Sequence, residues 1–156
     1  MRAPHCELCE SDGGEILFRH PNYRIVRVMG IEGESYRGFC RVIWEHHVKE
    51  MSDLTCDERG QFMDAVFRLE AMLRQTLHPD KINLASLGNL TPHLHWHVIP
   101  RFHDDATFPK PIWATARTLK APPVASSSPS SLSAPADRRA DFNVDWAETV
   151  RRAFQQ

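Results

Sequence analysis

Residues 93–101 read His93-Leu94-His95-Trp96-His97-Val98-Ile99-Pro100-Arg101, three histidines in strict alternation. A strand turns every second side chain to the same face, so this spacing predicts an extended segment over 93–102 with three imidazoles on one ledge. Neighbouring ledge positions lie about 6.6 Å apart. Histidine alone among side chains titrates near neutrality, and it serves as nucleophile, acid, base or metal ligand. Three on one ledge point to a reaction centre.

The ledge sits in a chain of 156 residues, enough for one domain with a sizeable core. Nineteen basic against twenty acidic residues give a net charge of −1, which leaves no broad electrostatic footprint for nucleic acid or anionic lipid. A small polyanionic ligand is still accommodated, because its site needs only a few local donors. No apolar run reaches membrane-spanning length and the N-terminus leads into no apolar signal core, so the expected location is cytoplasmic. In that compartment the four cysteines stay reduced, and Cys6 and Cys9 become a possible metal clip.

Strands are expected at 15–18, 23–29, 36–44, 81–87 and 93–102, with residues 30–35 as a glycine-containing connection. The 23–29 segment mixes apolar and basic residues, as a strand with one wet face does. Pro100 is expected to close the histidine strand or to mark it as an edge. Thr55-Cys56-Asp57-Glu58 forms a capping box, followed by Phe62, Val66, Leu69, Leu73 and Leu77 at three- and four-residue spacing. That predicts an amphipathic helix of about six turns, stopped before His78-Pro79. The fold class is therefore α+β, an antiparallel sheet of about five strands packed on one long helix. Residues 1–115 form the expected catalytic domain. Residues 116–141 are a linker whose 121–136 stretch is dominated by Pro, Ser and Ala, and 142–156 form a short C-terminal helix.

Three readings compete for the ledge. It is a surface ladder without function, a three-histidine metal site, or a centre for nucleophilic catalysis at phosphorus. Three histidines on one ion is poor geometry, because the outer pair on a straight strand is about 13 Å apart. The third reading uses all of them. A neutral imidazole attacks phosphorus, and its neighbours two residues away donate hydrogen bonds to phosphoryl oxygens and leaving group. Cys40 is expected as a small buried hydrophobe and Cys56 as a plain first-turn residue. His5, His20, His46, His78 and His103 are expected at the surface or in turns.

His93-Leu94-His95-Trp96-His97-Val98-Ile99 resembles the His-φ-His-φ-His-φ-φ signature of the histidine triad (HIT) superfamily of nucleotide hydrolases and transferases. Cys6-x-x-Cys9 resembles the opening of many bacterial members. Residues 38–48 resemble the family's Gly-His-x-Leu-Val-Ile-Pro-Lys-Arg-His-Val segment, and 88–92 stand where Gly-Gln-Thr-Val usually precedes the triad. The likeness spans roughly 6–103 and implies hydrolysis of a nucleoside 5′-phosphoryl bond through a nucleotidyl-histidine intermediate. His95 would be the nucleophile, His97 would assist phosphate and leaving group, and His93 would support the site. Asn89 matches a phosphate-contacting glutamine, and Asn83 and Arg101 join it as candidate substrate contacts. Family zinc sites imply Cys6, Cys9, His47 and His93 as ligands of one structural zinc. The resemblance also implies a homodimer and a nucleotide substrate, with no redox cofactor. Phe39, Trp44 and Glu45 replace the family's usual His, Pro and basic residue. These changes leave the nucleoside and leaving group open, between a dinucleoside polyphosphate and a nucleoside phosphoramidate. The alternative is a zinc-stabilised nucleotide-binding regulatory protein with little turnover.

Overall fold

The computed structural model describes residues 2–116 and 145–155. The expected linker therefore lies outside the described residues except for Ala116, as do residues 142–144. Five strands form one sheet: β1 Glu15–Arg19, β2 Tyr23–Arg27, β3 Cys40–Trp44, β4 Lys81–Ala85 and β5 His95–Arg101. All neighbours are antiparallel, in the order β1-β2-β3-β5-β4. One face packs on a long helix, α3 Cys56–Leu77, which gives the expected α+β architecture.

Local chemistry accounts for α3. The Thr55 hydroxyl accepts from the Glu58 N–H at 3.3 Å, and the Glu58 carboxylate accepts from the Thr55 N–H at 2.8 Å. The helix buries Phe62, Ala65, Val66, Leu69, Leu73 and Leu77 against Ile25, Val42, Trp44 and Val98 of the sheet. It ends at His78, whose φ of 46° is left-handed, just before Pro79. A second helix, α4 Trp146–Phe154, adds Ala147, Val150 and Phe154 to the same core beside α3 and β1. It begins at Trp146 because the Asp145 carboxylate caps it, accepting from the Glu148 N–H at 3.1 Å.

Several boundaries differ from expectation, each for a tertiary reason. Residues 30–35 form a short helix, α2 Gly30–Ser35, rather than an irregular connection. The strand expected from Tyr36 starts only at Cys40, because the Phe39 N–H turns back to the Tyr36 carbonyl. Gly38 sits in that turn at φ 74°, where a Cβ would lie 2.4 Å from the Leu77 side chain. β4 ends at Ala85, two residues early. β5 starts at His95, so His93 is not on the strand at all. There the Leu94 N–H donates to Val48 and its carbonyl accepts from Trp44, which draws the chain away from the ledge. β5 is an interior strand, and Pro100 lies beyond its last pair with β3, where β5 has only β4 beside it.

The sheet's second face carries two separate roofs. A one-turn helix, α1 Glu7–Glu10, brings Cys6, Leu8 and Cys9 over Val26 and Ile43. At the other end Ile112 packs with Val28, Tyr36, Phe39 and Ile99. Each roof is tied down by a buried arginine. Arg24, expected on a wet face, is only 3% exposed: it donates to the carbonyls of Leu8, Ser11 and Asp12 and pairs with Glu45 at 3.2 Å. Arg101, also buried, pairs with Asp105 at 2.8 Å and donates to Asn83 Oδ1, the Lys110 carbonyl and Thr107 Oγ1. His95 and His97 lie between the two roofs and are themselves buried.

Replacing Arg101 with Met strands the Asp105 carboxylate in a buried position. The expected loss of folding stability is about 3–5 kcal/mol, read from urea unfolding of the pure protein. A loss below about 1 kcal/mol contradicts this reading of the second roof.

Candidate functional site

His95 and His97 remain on one face of β5, as alternation requires. Their rings are 4.8 Å apart, and the residues are 7% and 6% exposed. On the β3 side Ile43 is paired with His95 and Arg41 with His97; on the β4 side Ala85 is paired with His97. Hydrogen bonds set the tautomers. The His93 carbonyl can only accept, so His95 Nδ1 carries the proton in their 2.6 Å bond. His95 Nε2 then holds a free lone pair, which accepts from His97 Nε2–H at 3.1 Å. That leaves His97 Nδ1 bare, buried and without a hydrogen-bond partner among the described residues.

Burial drives the electrostatics of the pair. It lowers the His95 pKa, opposed by the bond to the His93 carbonyl and reinforced by the charge of Arg41. It also lowers His97 to about 3, with further depression from His95 and Arg41. Both rings are neutral at pH 7. A neutral imidazole with its outward nitrogen unprotonated is the form that can attack an electrophile.

His93 faces the other way. Its Nε2–H donates to the Trp44 carbonyl at 2.7 Å, so the bare Nδ1 points to Cys6 Sγ at 3.4 Å and Cys9 Sγ at 3.5 Å. His47 Nδ1 stands 3.5 Å from Cys9 Sγ. The four ligand atoms of Cys6, Cys9, His47 and His93 lie within 4.8 Å of one another and could hold a metal ion. A tetrahedral zinc with ordinary bond lengths requires sulfur–nitrogen edges of about 3.5 Å, which matches these distances. The Trp44 carbonyl supplies the outer hydrogen bond that orients a ligating imidazole. Burial and the hydrogen bond with Cys9 raise the Cys6 thiol pKa, so a cation would be needed to hold it as thiolate.

Not every predicted site residue joins the histidines. Arg101 stands on the ledge face of β5, but the second roof covers it and its contacts are internal, with Asn83 as one of its acceptors. Both contribute to the architecture of that roof. Asn89 is exposed on the turn ahead of His93. Cys40 is fully buried, Cys56 is exposed on the first turn of α3, and His103 is exposed and paired with Asp80.

Three residues near His97 were not among the site residues expected from the sequence. Arg41 is its cross-strand partner, Phe39 lies 5.7 Å from its ring, and half-exposed Trp113 meets it edge-on at 5.3 Å. Alternation places Phe39 and Arg41 on one face, but only the register of β3 against β5 brings that face to the histidines.

Residues 28–104 match the family model described as the HIT domain. No curated protein matches the chain. Among solved structures, it is similar to the histidine triad protein blr8122 of Bradyrhizobium japonicum, at 24% identity and TM-score 0.65, over 97% of this chain and 96% of that one. A histidine triad protein of Marinobacter aquaeolei is similar at 20% identity and TM-score 0.63, covering 75% and 82%. One from Sinorhizobium meliloti is similar at 22% identity and TM-score 0.59, covering 68% and 78%. At these identities the likeness speaks for the fold.

Neutral buried histidines have a measurable consequence. In the unfolded chain His97 titrates near 6.5, whereas in the folded protein it resists protonation down to about pH 3. The unfolded state binds more protons across that window, so stability is lost as pH falls from about 6.5 toward 3. Urea midpoints of His97→Gln should decline less steeply than wild type between about pH 7 and 4.5. Parallel declines contradict a buried neutral His97.

Proposed function

We propose, from the premise that this chain belongs to the histidine triad (HIT) superfamily, that it hydrolyses a nucleoside 5′-phosphoryl bond through a nucleotidyl-His95 intermediate. The supporting observation is the tautomer of His95. Its Nδ1–H is committed to the His93 carbonyl, so the Nε2 lone pair is the free nucleophile. Nε2 bonds to the α-phosphorus, and the bond from phosphorus to the leaving group breaks. With Nδ1 still protonated the ring becomes cationic, and the His93 carbonyl stabilises that cation. His97 Nε2–H, released from its bond to His95, hydrogen-bonds the leaving atom, which departs with the bonding electron pair and takes any proton it needs from solvent. Water then attacks the phosphorus, the P–Nε2 bond breaks with its electrons returning to neutral His95, and the water's surplus proton passes to solvent as the nucleoside monophosphate leaves. The substrate is a dinucleoside polyphosphate or a nucleoside phosphoramidate, and exposed Asn89 is proposed as a further phosphate contact.

Cys6, Cys9, His47 and His93 are proposed to hold one structural zinc. When bound, it ties the N-terminal segment to the residue whose carbonyl orients His95. Residues 1–115 are proposed as the catalytic unit, in a cytoplasmic homodimer. Among the described residues, no helix is long and apolar enough to cross a membrane. A sedimentation-equilibrium mass of 17.9 kDa, that of one chain, would overturn the dimer.

Mass spectrometry after acid-free rapid quench tests the reaction. One nucleoside monophosphate on the triad peptide, absent in His95→Ala, is the expected result. Stoichiometric nucleotide binding with neither adduct nor product would instead leave a zinc-stabilised nucleotide-binding protein. Metal analysis of protein purified without chelator should give about one zinc per chain. Its absence from fresh, reduced protein removes the metal assignment without touching the adduct test.

A further inference from the structure

We propose that Arg41 binds the leaving-group phosphates, so that the substrates carry anionic phosphates beyond the scissile bond, and that Glu32 holds that position in the free protein. The inference rests on the hydrolase reading above and narrows its substrate class. Arg41 is the direct cross-strand partner of His97, the residue on the leaving-group side of His95. It shares the ledge face, and its charge reaches both histidines.

Arg41 is poorly satisfied where it stands. Its Nε is buried and has no hydrogen-bond partner among the described residues. Its Cζ lies 5.7 Å from the Phe39 ring, which offers no acceptor in the ring plane. Among the described residues its one carboxylate contact is Glu32 on α2, at a long 3.4 Å. A buried guanidinium N–H without an acceptor is costly, and an arriving phosphate oxygen relieves it. An unpartnered guanidinium N–H on the residue paired with His97 marks a place for an anionic acceptor. The Arg41 side chain is 20% exposed, so that place opens to solvent.

Glu32 behaves as a stand-in for the anion. Half exposed, it follows Gly30, which has φ 70° and open space around it. A carboxylate and a phosphate present the same acceptor oxygens to a guanidinium. An amine leaving group, as in a phosphoramidate, offers no such acceptor and gains nothing from Arg41. The geometry therefore favours a nucleoside polyphosphate over a phosphoramidate.

Calorimetric binding of diadenosine tetraphosphate and of adenosine monophosphate to the intact protein separates these cases, and it needs no turnover. Arg41→Gln should weaken the tetraphosphate about 10- to 100-fold and the monophosphate less than about 3-fold. Arg41→Lys should recover part of the loss, having the charge without the planar fork. Glu32→Gln, at a half-exposed position that leaves the core intact, should tighten the tetraphosphate about 3-fold. Equal losses for both ligands in Arg41→Gln, or no loss, overturn the phosphate assignment. An unchanged or weaker tetraphosphate affinity in Glu32→Gln overturns the stand-in. If these shifts appear while no His95 adduct forms, the hydrolase reading fails and the polyphosphate site stands. If the adduct forms with no selective effect at Arg41, the hydrolase reading stands and the polyphosphate site fails.

Discussion

The 2.6 Å bond from His95 Nδ1 to the His93 carbonyl fixes which nitrogen of the central imidazole is free. It exists only because His93 leaves the strand. With the Leu94 backbone drawn to Val48 and Trp44, the His93 ring swings toward Cys6 and Cys9 while its carbonyl remains under His95. One residue thus joins the N-terminal thiol cluster to the reactive pair. A displacement of that carbonyl by even a few tenths of an ångström would lengthen a strong bond and free the His95 ring to exchange tautomers.

Holding that junction requires the second sheet face to be covered at both ends. Two buried arginines achieve this by binding main-chain carbonyls as well as carboxylates. Arg24 collects carbonyls of α1 and of the turn after it, and Arg101 collects Asp105, Thr107 and the Lys110 carbonyl. Burying a guanidinium is expensive unless its donors are met. These roofs are irregular segments with few ladder bonds of their own, so their carbonyls supply the acceptors. The apolar core on the α3 side carries no such charges and can supply the bulk of the stability.

Much of this was legible where the physics is local. The α3 boundaries follow from a capping box and a 3–4 apolar repeat, and both operate within a few residues. The shared face of His95 and His97 follows from strand alternation alone. What escaped depends on contacts between distant segments. His93 reads as a third ledge histidine until the Leu94 bonds to Val48 and Trp44 are seen. Arg24 reads as a wet-face strand arginine and Arg101 as a candidate substrate contact, because their burial comes from roofs formed by residues 6–12 and 105–112. Arg41 reads as an ordinary polar strand residue, since nothing in its neighbourhood announces the register that sets it against His97. The Cys-x-x-Cys pair is visible, but its imidazole partners lie 38 and 84 residues away from Cys9 and were supplied by family resemblance.

The electrostatics of the ledge hold together only if charge is kept off the histidines and placed beside them. Burial keeps His95 and His97 neutral at neutral pH, which preserves the lone pair that the proposed attack requires. It also removes the cations that a phosphate would otherwise find there. Arg41 restores one positive charge at the neighbouring position, on a side chain that cannot surrender its proton. A lysine or a third ledge histidine in its place would titrate more readily beside the pair and lose charge as the site dried. Separating the nucleophile from the cation across two paired strands lets the same low-dielectric site favour a neutral imidazole and an anionic ligand together.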